Sequence, residues 1–304
     1  MACLILKVSF TLLFVKLLQK IESLQMLIEK QLENGFKYLE IKNAHAEAKI
    51  ALQGAHIFHF KPLGKEPILW LSKLANFKRG KAIRGGIPIC FPWFGKHKSD
   101  SSLAQHGFAR TAIWKLVLSE ELENGTTHIA LELTSNLETK KMWNYDFTLR
   151  LDITIGEKLE IAMTVTNKDD KAFEISTALH SYFNISDIEN IVIEGVEGCR
   201  YFDALTNTEE LQKGKLSFTE ETDRVYFNTS KNINLVDTFC TIKLEQKGSN
   251  SLIIWNPWSE KSKEMSDMED EGYKTMVCLE TANALEDSKV VDVGENCVLG
   301  LVIG

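Results

Sequence analysis

Residues 147–167 read FTLRLDITIGEKLEIAMTVTN. Apolar and polar residues alternate on both sides of Gly156, and in an extended chain that period puts every second side chain on one face. Such a run buries one face and leaves the other to water. The break at Gly156, and the polar cluster Asn167-Lys168-Asp169-Asp170 after the second run, mark two turns, so the stretch is a β-hairpin. The chain around it repeats the signal. FKYLEIKN from 36, AKIALQGAHIFHFKP from 48, THIALELTSN from 127, KAFEISTALHSYFNI from 171, ENIVIEGVEG from 189, CTIKLEQKG from 240, SLIIWNP from 251 and KTMVCLET from 274 fit strands by alternation or β-branched content. Helical signal is weak outside the first 25 residues, no internal repeat stands out, and no Pro/Gly/Ser linker divides the chain. A dense series of strands with short turns predicts an all-β fold, a sandwich or barrel, as a single domain over residues 26–304.

A length of 304 residues suits one large domain of that kind. The apolar share of 44% is enough for a substantial core. A net charge of −7 argues against nucleic acid as the main partner, because phosphate backbones are held by dense Lys/Arg surfaces. It leaves room for a small anion, which needs only a local cluster of positive charge. The cysteines (Cys3, Cys90, Cys199, Cys240, Cys278 and Cys297) include no C-x-x-C pair, so no zinc or redox motif is supported. Reduced, buried thiols and a cytoplasmic location are expected. Neither G-x-G-x-x-G nor G-x-x-x-x-G-K-[ST] occurs, so nucleotide-phosphate folds have no support. Residues 1–25, MACLILKVSFTLLFVKLLQKIESLQ, are apolar but broken by Lys7 and Lys16, leaving too short a run to span a bilayer. They read first as sequence upstream of a start at Met26, then as a short helix, then as an export signal.

Four stretches do not look like plain strand or turn: IRGGIPICFPWFG (83–95), QHGFAR (105–110), ALHSYFN (178–184) and VCLETAN (277–283). Each sets a charged or titratable residue among apolar ones, a setting that shifts pKa values and marks sites. Arg84, beside Gly85-Gly86, offers a planar fork of donors to a phosphate or carboxylate, or else pairs with a nearby acid. His106 and Arg110 flank Gly107, and His180 lies between Leu179 and Tyr182. Either histidine is a satisfied structural residue or a titrating one whose pKa burial lowers. Glu280 follows MVCL and should emerge at the end of a buried strand, where a carboxylate with a raised pKa suits general-base work; the plainer alternative is a glutamate facing water. Trp255 and Trp258, in WNPW, offer aromatic faces to a sugar ring or pack a strand end. Asp203 either accepts from a hydroxyl or caps a turn.

These stretches, with WNPW followed by MSDMEDEGYK, occur in the order found in the hexose-6-phosphate mutarotases, and the sequence resembles that glucose-6-phosphate 1-epimerase branch of the aldose 1-epimerase family from about Met26 to its end. The resemblance implies a large antiparallel β-sandwich of the galactose-mutarotase type with its site in a cleft across one sheet. It implies that His180 is the general acid and Glu280 the general base, on opposite sides of the sugar ring. By the same resemblance His106 assists at the sugar oxygens, Asp203 binds a hydroxyl, and Arg84, Gln105 and Arg110 hold the phosphate and neighbouring polar groups. Trp255 completes the substrate set. Exchange of α and β anomers by acid–base ring opening needs no cofactor and no metal. The expected partner is a small hexose 6-phosphate, with neither nucleic acid nor membrane, and a monomer is expected. Two alternatives are an epimerase for unphosphorylated aldoses, which leaves two arginines nothing to balance, and a carbohydrate-binding sandwich without chemistry. A glycoside hydrolase, needing two carboxylates, has only Asp203 to set beside Glu280.

Overall fold

The hairpin forms as its pattern requires. In a computed structural model, which describes residues 27–238 and 240–304, Phe147–Ile155 pairs antiparallel with Leu159–Asn167. Leu149, Leu151 and Ile153 face Val165, Met163 and Ile161 across the ladder, and all six are buried. Thr127–Thr134 and Lys115–Glu121 extend the sheet on one side. Asn296–Ile303, Thr241–Lys247, Asn232–Val236 and Val192–Glu194 extend it on the other, giving eight strands. A second sheet of eight strands runs Thr208–Leu211, Arg200–Asp203, Thr222–Phe227, Ser251–Asn256, Met276–Asn283, Thr177–Leu179, Ile89–Cys90, with Tyr182–Asn184 also paired to Met276–Asn283. The strands Leu27–Gln31, Lys37–Lys42, Ala46–Ala51 and His56–Pro62 form a smaller sheet. The expectations for residues 1–25 fall outside the described residues.

The two large sheets make an antiparallel β-sandwich because each has one apolar face to hide. Leu149, Leu151, Ile161 and Leu299 from the first and Tyr226, Leu252, Ile254 and Leu279 from the second belong to one continuous core. Each such side chain stabilises the fold by about 1.5–3 kcal/mol relative to exposure. The other face of the second sheet carries Cys90, Ala178, Val225, Ile253 and Ala282, a separate layer of mostly small side chains. Short side chains there leave a hollow above the sheet.

Several strands lie outside the alternating runs of the sequence. Asn296–Ile303 pairs along its whole length with Leu159–Asn167, and Thr222–Phe227 sits inside the second sheet. Two short helices, Leu137–Met142 and Trp258–Glu264, join strands; the first starts at Asn136, whose side chain accepts from the Glu138 and Thr139 amides.

Candidate active site

Strand register brings the site together. Met276–Asn283 pairs with Thr177–Leu179, Leu179 facing Thr281, and with Tyr182–Asn184, Tyr182 facing Cys278. The two pairings keep one register across the break at His180-Ser181, which sets His180 opposite Glu280. Alternation points Leu279 into the core and Glu280 to the hollow. Sequence placed Glu280 at a strand end; it stands instead in mid-strand, 1% exposed. The strand continues because its polar tail is satisfied: Asn283 Nδ2 donates to the Gly248 carbonyl at 2.8 Å and to the Asp287 carboxylate at 2.9 Å.

His180 Nδ1 lies 3.1 Å from Glu280 Oε1, but out of line for a hydrogen bond, so Nδ1 and Glu280 Oε2 both remain unpartnered. Burial, reinforced by the charge of Asp223, pushes the Glu280 carboxyl well above its ordinary range. Burial, then His106 and the two arginines Arg110 and Arg84, holds the His180 imidazole well below its ordinary value. Both shifts favour a proton on the carboxyl rather than on the imidazole. Moving that proton across the short gap gives carboxylate and imidazolium. The imidazole plane is fixed by stacking on Tyr182, with centroids 4.9 Å apart and planes 4° from parallel. The side-by-side placement corrects the expectation of groups on opposite sides of a pyranose, since 3.1 Å admits no ring between them.

The cavity above the pair has a volume of about 860 Å³, in the range of roughly 300–1,000 Å³ common for small-ligand sites. Its walls include Arg84, Gln105, His106, Asp223 and Trp255. His106 and Gly107 both have positive φ, 64° and 68°. A side chain at Gly107 would collide with the Phe91 carbonyl oxygen, so glycine alone permits this approach. The Gly95 amide donates to His106 Nδ1 at 3.2 Å, which fixes the tautomer with hydrogen on Nε2. Burial, then the charge of Arg110, lowers its pKa to about 3, so His106 is a neutral N–H donor. Arg84 does pair with an acid, donating from Nε to Asp267 at 3.1 Å, and from Nη1 to the Tyr182 hydroxyl at 2.9 Å. Burial opposes its charge, but Tyr182 and Asp267 outweigh that and raise its pKa. Its Nη2 has no partner among the described residues. Trp255 stands edge-on to His180, centroids 6.2 Å apart.

Two expected residues are not brought to the cavity. Arg110 donates from Nη2 to the Gln105 carbonyl at 2.8 Å and acts on the site only through its charge. Asp203 caps a turn, accepting from the Leu205 amide at 3.0 Å and the Thr206 amide at 3.3 Å, and is bound by Arg224 Nε at 3.0 Å. Its neighbours Phe202 and Ala204 line the cavity, so alternation turns Asp203 away. The aspartate that does face the cavity is Asp223, which sequence reasoning missed. It sits beside its cross-strand partner Trp255, and burial, then Glu221 and Asp203, raise its pKa to about 6. Lys96, Lys98 and Lys261 also line the cavity.

The site is a buried carboxyl and imidazole under a hollow in one sheet of a β-sandwich. Residues 37–303 match the aldose 1-epimerase family, and the chain belongs to it: an isomerase that interconverts sugar anomers. An Escherichia coli (strain K12) protein named "Putative glucose-6-phosphate 1-epimerase" is 37% identical over 275 residues, covering 89% of this chain and 91% of that protein. The crystal structure of a Salmonella typhimurium protein described as a "putative mutarotase" superposes with a TM-score of 0.86 at 35% identity, covering 91% of this chain and 92% of that one. A galactose mutarotase related enzyme from Lactobacillus acidophilus shares the fold, with a TM-score of 0.70 at 17% identity over 88% of this chain and 96% of that one.

Proposed function

We propose that the protein interconverts the α and β anomers of a hexose 6-phosphate, with His180 as general acid and Glu280 as general base. The observation that carries the reading is the pair itself: a buried imidazole and a buried carboxyl, 3.1 Å apart, on the floor of a cavity with an arginine in its wall. In the charge-separated form the Glu280 carboxylate takes the proton of the anomeric hydroxyl while the His180 imidazolium protonates the ring oxygen. The bond from C1 to the ring oxygen breaks and an aldehyde forms. One proton has been taken and one given, so the pair now stands as carboxylic acid and neutral imidazole. Rotation about C1–C2 presents the other carbonyl face, and the same transfers run backwards to close the ring. Each positioned transfer contributes roughly 10²–10⁴-fold. His106 Nε2–H donates to a sugar oxygen, Asp223 accepts from a hydroxyl, and Trp255 packs an apolar edge. Arg84, Lys96, Lys98 and Lys261 give the phosphate its counter-charge, and binding there orients the reacting end.

The phosphate claim is tested by comparing kcat/KM for anomerisation of glucose 6-phosphate and of glucose. Charge-assisted hydrogen bonds contribute about 1.5–3 kcal/mol each, so the phosphate ester should be preferred by roughly 10–100-fold. Equal values would defeat it.

A further inference from the structure

Cys278 is not used by this chemistry, yet it lies two residues before Glu280 on the same face of one strand, while His180 stands opposite Glu280 on the next. His180, Cys278 and Glu280 each offer one donor atom, and the three atoms lie within 4.8 Å of one another. Nitrogen, thiolate sulfur and carboxylate oxygen are together the donor set of zinc; magnesium and calcium prefer oxygen alone. A second observation points to a ligand. His180 and Glu280 are 8% and 1% exposed, and His180 Nδ1 and Glu280 Oε2 are buried without a hydrogen-bond partner. An ion would satisfy these atoms without displacing any hydrogen bond. The cavity reaches His180 and Glu280, and Cys278 lies fully buried beside them. The cysteine spacing of the chain hides such a site, because its donors come from two strands.

We propose that His180, Cys278 and Glu280 bind a thiophilic divalent cation, Zn²⁺ being the probe, and that occupancy stops proton transfer. The thiol proton and the Glu280 carboxyl proton both pass to solvent as the zinc–sulfur and zinc–oxygen bonds form, and the ion closes the three donors slightly as their side chains rotate. Binding stands independently of the proposed reaction; the inhibition rests on it. The test is calorimetric titration of the full, metal-free chain with zinc sulfate, beside Cys278→Ser and Cys278→Ala, whose folding is checked by thermal unfolding. One ion should bind per chain, and both variants should lose at least about tenfold in affinity. Zinc should suppress anomerisation by the native chain, a chelator should restore it, and the variants should resist. No saturable binding, or equal affinity in folded variants, overturns the site; normal anomerisation alongside that result leaves the catalytic reading standing. Cys278-dependent binding that leaves the rate untouched upholds the site and refutes the catalytic pair.

Discussion

Replacing Glu280 by glutamine separates chemistry from architecture. The amide keeps the shape of the carboxyl but accepts no proton, so the loss is that of one positioned base, about 10²–10⁴-fold in kcat, or about 3–5 kcal/mol of barrier. The structural cost is small for a reason visible in the site. Glu280 Oε2 has no hydrogen-bond partner, and the contact from Oε1 to His180 is out of line, so no bond is broken. Burial also favours the neutral form of the native carboxyl, and glutamine is neutral as well. Stability should stay within about 1 kcal/mol of the native chain, read from the urea midpoint. Exchange spectroscopy by proton NMR on an equilibrated mixture of glucose 6-phosphate anomers gives the rate, and the same samples give KM, which should move only a few-fold. A folded variant retaining a rate near that of the native chain would refute the assignment of the base.

Removing the charge of Asp223, which raises Glu280, should lower the Glu280 pKa. In Asp223→Asn the alkaline limb of the kcat profile, where the pair loses its proton, should shift to lower pH, whereas an unmoved limb would show that Asp223 does not act on Glu280. Arg84→Gln should cost more on glucose 6-phosphate than on glucose, by roughly 10-fold or more in kcat/KM; equal losses would confine Arg84 to holding Tyr182. His56 is fully buried against the Gly85 carbonyl at 2.8 Å, and burial lowers its pKa to about 4. The unfolded chain takes up that proton near 6.5 and the folded chain does not, so stability is lost as pH falls from 6.5 towards 4, by about 3 kcal/mol in all. His56→Gln should flatten the fall in denaturation midpoint over that range; an unchanged slope would count against a buried neutral His56.

The parts of the fold that sequence announces are those with one wet face. Phe147–Ile155 and Leu159–Asn167 alternate cleanly because their outward side chains meet water. Asn296–Ile303 does not, since Leu299, Gly300 and Leu301 are consecutive and buried in mid-sheet. In the site, His180, His106, Arg84 and Glu280 stand out as polar groups among apolar ones, and all four line the cavity. Asp203 and Asp223 show the limit. Asp203 pairs across the ladder with Arg224, so Asp223, one residue earlier, faces the other way. Which aspartate meets a sugar is decided by register, and a one-residue difference inverts the answer. The 3.1 Å approach of His180 to Glu280 is likewise a product of two strand pairings that no local pattern contains.

The central claim is that the native chain opens and closes the ring of a hexose 6-phosphate. Adding a catalytic amount to freshly dissolved α-glucose 6-phosphate and following the anomeric proton signals tests it directly. The β signal should grow far faster than in buffer alone and halt at the uncatalysed equilibrium ratio. A time course identical to that of buffer would contradict the account.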